Sequence, residues 1–118
     1  MGDRLSNIDQ CLPKHEIINK DNEFKKIFTR GRQWNGRFIK CFVLHAKERK
    51  VGFIIAKRVG KAVIRNRIKR FMRETYRKNR QRIQNFHILI CARKQSRVAG
   101  YQDIYDDFQN FLKSTNDY

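Results

Sequence analysis

Hydrophobic residues recur at helical spacing from Ala62 onward. One face of the predicted helix carries Ile64, Ile68, Phe71, Met72 and Thr75, at about 100° per residue. The opposite face carries Asn66, Lys69, Arg70, Arg73 and Arg77. A helix of this kind buries its apolar stripe and exposes its cations. We predict that it continues through the segment ETYRKNRQRI.

Two β-rich segments precede this helix. Residues 37–46 (RFIKCFVLHA) and 51–57 (VGFIIAK) are separated by a short KERK stretch, which predicts an antiparallel hairpin. Alternation places Phe38, Lys40, Phe42 and Leu44 on one face of the first strand. A lysine between two phenylalanines is unusual in a core, but it suits a surface that stacks bases and holds phosphates.

A shorter helix is predicted near the N-terminus. The segment NEFKKIFTR has Asp21 or Asn22 as its cap and ends at Gly31, where we expect a left-handed residue. Phe24 and Phe28 share one face of this helix. Two aromatic residues one turn apart are more often part of a core than of a contact surface.

The C-terminal part of the chain predicts one more strand and one more helix. Residues 86–92 (FHILICA) are apolar enough for a central strand. Residues 101–113 form a helix whose buried stripe consists of Ile104, Tyr105, Phe108, Phe111 and Leu112. Near its start lie Asp103, Asp106 and Asp107, which fit the favourable dipole of a helix N-terminus better than a metal site.

These elements predict a single α+β domain over residues 1–118, with residues 1–20 as a partly ordered arm. The order is α-β-β-α-β-α around a small, mostly antiparallel sheet, and GRQWNG before the first strand leaves room for one extra short strand. If the long helix joins two parallel strands, a right-handed crossover is the default.

Composition adds a second constraint, because Lys and Arg number 28 against 11 Asp and Glu, a formal net charge of +17. Segment 57–73 contains only basic charges, mostly arginine, which donates bidentately to phosphate. We therefore expect a polyanion as partner, and small anions such as sulfate or phosphate on the free protein. The sequence shows no membrane span or signal peptide, so we expect a cytoplasmic protein. The three cysteines fit no metal spacing and are expected to be free thiols.

Three classes of nucleic-acid protein remain open at this point. A nuclease acting alone needs clustered carboxylates with metals or a histidine pair, whereas Glu48 and Glu74, the acids nearest the basic helix, have no close acidic neighbour in sequence. A plain RNA-binding module would use the same basic helix and aromatic strand. A helix-turn-helix DNA binder would need a short helix just before the basic one, where two strands are predicted.

One segment narrows this choice. VGFIIAKRVGKAVIRNRIKRFMRE, residues 51–74, resembles the bacterial ribonuclease P protein component, centred on the triplet Arg65-Asn66-Arg67. NEFKKIFTRG resembles the N-terminal aromatic helix of that family, and ILICARK resembles its strand ending in Ala-Arg. Together these segments cover most of residues 20–112.

The resemblance implies a protein that binds ribonuclease P RNA and assists removal of the 5′ leader from precursor tRNA. The RNA carries the chemistry, so no catalytic, cofactor or metal residue is expected in the protein, and Mg²⁺ is implied for the ribonucleoprotein complex. The resemblance also implies a left-handed βαβ crossover. It places the single-stranded leader in a cleft lined by Phe24, Phe28, Lys40 and Phe42. It places the catalytic RNA on Lys57, Arg58, Lys61, Arg65, Asn66, Arg67, Lys69, Arg70 and Arg73.

This chain departs from the family pattern at a few of these positions. Lys40 stands where an apolar residue is common, and Phe42 stands where tyrosine is common, so stacking is retained and hydroxyl hydrogen bonds are lost. The arm reads EIIN at residues 16–19, where relatives are usually more basic.

Overall fold

The computed structural model describes residues 12–115. Within this range the chain contains helices α1 (Asp21–Arg30), α2 (Ala62–Asn79) and α3 (Tyr101–Ser114). Its strands are β1 (Arg32–Asn35), β2 (Ile39–His45), β3 (Lys50–Ile54) and β4 (Phe86–Ala92). Short 3₁₀ turns lie at Lys14–Glu16, Lys57–Val59, Arg80–Arg82 and Lys94–Val98. The predicted α+β class is confirmed, and the extra short strand is β1. Residues 1–11 of the predicted arm lie outside the described part.

The four strands form one mixed sheet in the order β1-β2-β4-β3. The predicted hairpin is wrong, because β4 lies between β2 and β3, antiparallel to the first and parallel to the second. Four of the five residues from Ile88 to Ala92 in β4 are buried. Placing β4 at the centre of the sheet removes more apolar surface from water than placing it at an edge. Residues 46–49, when extended, reach about 13 Å, which is enough to cross the two strand spacings, about 10 Å, between β2 and β3.

The parallel strands β3 and β4 are connected through α2. This is the βαβ unit for which the resemblance implies a left-handed crossover, and its hand stays a prediction. No helix within residues 12–115 has both the length and the apolarity needed to cross a bilayer.

Helices cover both faces of the sheet, which produces two clusters of buried residues. The larger cluster joins α2 and α3 to the face of Ile39, Cys41 and Val43, and it includes Ile68 and Met72 of α2. The smaller cluster joins Ile27 of α1 to the other face. Phe38 was predicted to share a face with Phe42, but it precedes β2 and packs against the larger cluster instead.

The ends of α1 differ from the predicted caps. The helix begins at Asp21, preceded by Lys20, and no side-chain hydrogen bond caps it. Gly31 is extended at φ −78° rather than left-handed. A glycine is needed there for space, because a Cβ would lie 2.6 Å from the carbonyl oxygen of Ile27 and 2.9 Å from that of Val43. The chain therefore turns directly from the helix into β1.

The three acids near the start of α3 have separate structural partners. Asp103 accepts a hydrogen bond from the backbone N–H of Gly100 at 2.9 Å, which caps the helix. Asp107 accepts from the backbone N–H groups of Phe38 at 2.6 Å and Ile39 at 3.0 Å, and so fastens the start of β2 to α3. Asp106 accepts from the Gln102 amide.

A buried carboxylate fastens the arm to the rest of the domain. Glu16 is 3% exposed. Its carboxylate accepts hydrogen bonds from the Tyr76 hydroxyl at 2.7 Å, from Arg49 Nε at 3.0 Å and from Arg80 at 2.5 and 3.1 Å. Burial alone would raise the pKa of Glu16, but these hydrogen bonds and the arginine charges outweigh burial and lower it. The backbone N–H of Ile18 also donates to the Val51 carbonyl at 2.8 Å, at the edge of β3.

Glu16→Gln should destabilise the protein by about 3 kcal/mol near neutral pH, because it removes one charge from a buried ion pair. A carboxyl group with a lowered pKa stabilises the fold above its unfolded pKa of about 4.3, and that contribution disappears as the pH falls through the folded pKa. The difference in unfolding free energy between the wild type and Glu16→Gln should therefore shrink in acid. Urea unfolding at a series of pH values measures it.

Glu48→Gln is the matched control, since the Glu48 side chain is 64% exposed and its change should cost little at any pH. The pKa of Glu74 is also lowered, chiefly by hydrogen bonds from Arg77, but Glu74 titrates in both proteins and cancels from the difference. A Glu16→Gln effect of equal size at pH 7 and pH 3 would contradict this account.

Candidate nucleic-acid interface

Helix α1 crosses one face of the sheet and packs against β2 and β4. Its first turn is fixed by the ion pair from Lys50 to Glu23, at 3.1 Å, and its last turn ends against β2 at Gly31. The strand register places Lys40, Cys91 and Ile54 side by side at the end of the sheet away from that ion pair. We call the surface between α1 and this row the cleft.

The floor and wall of the cleft are aromatic. Phe28 of α1 meets Phe42 of β2 edge to face, with 4.8 Å between the ring centroids. Phe28 is 44% exposed, whereas Phe42 is only 8% exposed. The four predicted cleft residues are therefore brought together, but Phe28 exposes the most ring surface to an incoming ligand.

Phe24 has a more structural position than Phe28. Its ring lies over Gly52 of β3, where a Cβ would come within 2.8 Å of both Phe24 and Leu89. Glycine at this position allows α1 to approach the sheet closely, and Phe24 packs against the smaller core cluster. Phe24 thus holds the helix on the sheet next to the cleft.

Lys40 places a positive charge in this aromatic environment. Its ammonium nitrogen lies 5.8 Å from the centroid of the Phe42 ring, and the side chain is partly exposed. Burial raises the pKa of the neighbouring Cys91 thiol to about 11, although the charge of Lys40 opposes this rise. Cys91 is therefore a protonated, apolar part of the cleft near neutral pH, and Lys40 is the cationic part.

The predicted RNA-binding residues occupy the turn before α2 and the outer face of α2. The exposed members are Lys57, Arg58, Lys61, Asn66, Lys69 and Arg70. The partly buried members are Arg65, Arg67 and Arg73. The first turn of α2 contains no acid, and Lys61 gives it no side-chain cap. A helix N-terminus of this kind, surrounded by cations, favours the binding of a phosphate.

Arg65 and Arg67 also have intramolecular partners. Arg65 Nε donates to the Gly60 carbonyl at 3.1 Å, and a terminal nitrogen of Arg67 donates to the Arg97 carbonyl at 3.0 Å. Each guanidinium has five N–H donors, so these bonds orient the group without exhausting it. The Nε atom of Arg67 is buried and has no hydrogen-bond partner in the described structure.

We call the turn before α2 and the outer face of α2 the basic surface. The cleft and the basic surface meet at one edge of the sheet. β3 and β4 are parallel, so their carboxyl ends lie together, next to the start of the antiparallel strand β2. Lys57 follows β3, and Lys94 and Arg97 lie in the turn that follows β4. Both Lys94 and Arg97 are exposed, and sequence analysis did not include them. Lys94 and Arg97 lie beside α2 because of the sheet order, which the sequence pattern did not predict. The Ala-Arg-Lys sequence at the end of β4 could still have indicated basic residues there.

Metal-dependent catalysis by a protein needs ligand side chains that are held close together. Within residues 12–115 no three His, Cys, Asp or Glu side chains are placed to hold a metal ion. What the described surface can do is bind, stack and position a polyanion.

Comparison with known proteins decides among the remaining classes. A family model described as Ribonuclease P matches residues 12–116, nearly the whole chain. The chain belongs to the ribonuclease P protein family. Proteins of this family act with an RNA subunit to process the 5′ leader of precursor tRNA, as part of a ribonucleoprotein endoribonuclease. The predicted assignment is confirmed, and it replaces the stand-alone nuclease, the general RNA-binding module and the DNA binder.

Individual ribonuclease P proteins agree with the family model. The ribonuclease P protein component of Thermus scotoductus is 39% identical over 115 residues, which cover 97% of this chain and 69% of that protein. The corresponding protein of Clostridioides difficile is 32% identical over 103 residues, covering 84% and 90%. A solved mutant RNase P protein from Staphylococcus aureus superposes with a TM-score of 0.84 over 96% of this chain and 98% of that one. At 23% identity, the last comparison establishes the fold.

Lys69→Ala and Arg70→Ala should weaken binding to ribonuclease P RNA, because both side chains are exposed on the outer face of α2. Each lost phosphate contact should reduce the slope of log K against log salt by about 0.7 to 0.9. Filter binding of the RNA over a range of KCl concentrations measures this slope.

Lys113→Ala is the charge-matched control, because Lys113 is exposed in the last turn of α3. It lowers the net charge by the same amount without touching the basic surface. If Lys113→Ala reduced the slope as much as Arg70→Ala, the protein would act as diffuse charge and the assignment to α2 would be wrong.

Proposed function

We propose that the cleft binds the single-stranded 5′ leader of precursor tRNA while the basic surface binds the RNA subunit. One observation carries this proposal: the exposed Phe28 ring lies on Phe42 beside Lys40, at the same sheet edge from which the basic surface begins. A ligand spanning both surfaces would need no change in the fold.

The cleft has the two properties that a single-stranded RNA needs. The unpaired bases of the RNA gain about 1–3 kcal/mol each from stacking on aromatic rings, and Phe28 provides such a ring. The phosphates of the RNA require a nearby cation. The ammonium group of Lys40 is such a cation, within reach of the stacked base. A double helix cannot present its bases in this way, so the cleft favours the leader over the folded part of the tRNA.

The basic surface suits a structured RNA. It combines the outer face of α2 with the turn at Lys57–Val59, and the adjacent turn at Lys94–Val98 extends it. Arginine donates bidentately to phosphate oxygens, and Arg65 and Arg67 are pre-oriented by their backbone hydrogen bonds. These features favour RNA held mainly through its backbone.

This arrangement assigns positioning to the protein and bond cleavage to the RNA. No side chain is assigned as catalytic, and we propose that Mg²⁺ is held by the RNA subunit rather than by the protein. The proposal includes the cytoplasmic location expected from the sequence, together with the precursor tRNA on which the complex acts.

Reconstitution tests the function directly. Because the proposed role of the protein is to position the substrate, adding this chain to ribonuclease P RNA at low Mg²⁺ should stimulate cleavage of precursor tRNA. Phe28→Ala should keep the binding of the RNA subunit but reduce the affinity of the assembled complex for precursor tRNA about 5- to 150-fold, the equivalent of 1–3 kcal/mol. Affinity for mature tRNA, which has no leader, should stay nearly constant.

Tyr105→Ala is the control, because Tyr105 is a partly exposed aromatic residue on α3, across the sheet from the cleft. Phe42→Ala is less informative, since truncating a residue that is 8% exposed costs about 3–5 kcal/mol of stability. Equal losses for precursor and mature tRNA with Phe28→Ala would remove leader binding from the cleft.

Sulfate or phosphate should raise the melting temperature of the free protein, because +17 net charge opposes compaction and an anion that binds only the folded state stabilises it. At an anion concentration about 100 times its Kd, the stabilisation is about 2.7 kcal/mol. Calorimetry in sodium sulfate and in sodium chloride of equal ionic strength separates site binding from screening. Equal melting temperatures in the two salts would contradict this.

A further inference from the structure

Strand β1 brings two amide side chains to the cleft. Its register pairs Gln33 with Phe42 and Asn35 with Lys40. Directly paired residues of neighbouring antiparallel strands lie on the same face of a sheet, with their Cβ atoms about 5 Å apart. Trp34, between them, packs against Phe111 on the opposite face. Gln33 and Asn35 therefore continue the row of cleft residues onto the edge strand.

Both amides are available to a ligand. Gln33 and Asn35 are exposed, and Gln33 Nε2 donates to Asn35 Oδ1 at 2.9 Å. No other side-chain hydrogen bond joins either amide to the described residues. Since an amide has two N–H donors and an oxygen with two lone pairs, the pair keeps both donors and acceptors free. Their mutual hydrogen bond holds the two groups in one orientation.

The two amides can pair with the donors and acceptors on the edge of a base, whereas a phosphate has no donor to offer them. A phosphate presents only acceptors and is held by cations, whereas each base edge presents its own pattern of donors and acceptors. Amide side chains recognise such patterns, and each good pair contributes to discrimination between bases. Polar residues on an edge strand are also common simply because they are solvated, but here they lie next to a stacking ring and a cation.

We propose that Gln33 and Asn35 read the edge of one leader base while that base stacks on Phe28. The base lies above Phe42 and Lys40, about one strand spacing, 4.8 Å, from β1. Stacking on Phe28 favours all four bases, and the amide pair makes binding depend on base identity. The proposal rests on the proposed leader binding and adds sequence preference to it.

The test uses the complex reconstituted with ribonuclease P RNA and precursor tRNAs in which each of the four bases is placed at each leader position in turn. The wild-type complex should discriminate among bases at one position by about fivefold or more in kcat/KM, the lower end expected for a hydrogen-bonded pair. Gln33→Met, which keeps the length of the side chain without its hydrogen bonds, and Asn35→Ala should reduce that discrimination to within about twofold. Discrimination at other positions should not change.

Gln81→Met is the matched control, because Gln81 is exposed in the Arg80–Arg82 turn at the far end of α2. It should retain the wild-type preference. Since Gln33 and Asn35 are exposed, their variants should melt within a few degrees of the wild type, which a thermal scan verifies before the kinetics.

The outcomes separate this inference from the proposed function. If Phe28→Ala weakens binding of every leader but Gln33→Met and Asn35→Ala keep the wild-type discrimination, leader binding stands and base reading by the amides is overturned. A wild-type complex without base preference at any leader position would also overturn it. If Phe28→Ala leaves leader affinity unchanged, leader binding itself fails.

Discussion

The position of β4 between β2 and β3 is the constraint on which the rest of the structure depends. β4 is buried on both faces and pairs along its length with two strands of opposite direction. This pairing brings the carboxyl end of β3, the carboxyl end of β4 and the beginning of β2 to one edge. Lys40, Lys57 and Lys94 come from three distant parts of the chain, and the central strand is the reason that they lie at the same edge.

Strong positive charge is the second constraint on this fold. The 11 acidic residues cannot neutralise 28 basic ones, so the positions of the acids matter. Glu16 of the arm binds Arg49 and Arg80, Glu23 binds Lys50, and Glu74 binds Arg77. None of these acids lies in segment 57–73. Glu16 and Glu23 thus join separate elements of the scaffold, and Glu74 pairs within the second half of α2. The surface before and along the first half of α2 keeps its charge for an RNA.

The cleft shows how a core and a binding surface share residues. Phe24 and Phe42 contribute mainly to packing, through Gly52 and the smaller cluster, whereas Phe28 on the same helix is exposed. A rigid ring is useful for stacking because it does not have to be ordered when the ligand binds. The buried aromatic residues therefore support the function indirectly, by fixing the ring that contacts the ligand.

The sequence by itself determined the helices, the central strand, the α+β class and the family. These follow from local periodicity and from one long ordered segment, both of which are properties of neighbouring residues. It also indicated the basic face of α2, because charges at fixed helical spacing share a face whatever the fold. The caps of α1 were predicted less well, since Gly31 is selected by contact with the carbonyl of Val43 and not by helix geometry.

Only the tertiary structure decided which strands are neighbours and which aromatic residue is exposed. A short loop after β2 suits a hairpin locally, but burying β4 between β2 and β3 removes more apolar surface from water, and this depends on residues about 40 positions away. The same sheet order placed Arg97 beside Arg67 and the amides of Gln33 and Asn35 beside Phe42 and Lys40. No local pattern contains these neighbours, because they are set by strand register, and register is fixed only when the whole core packs.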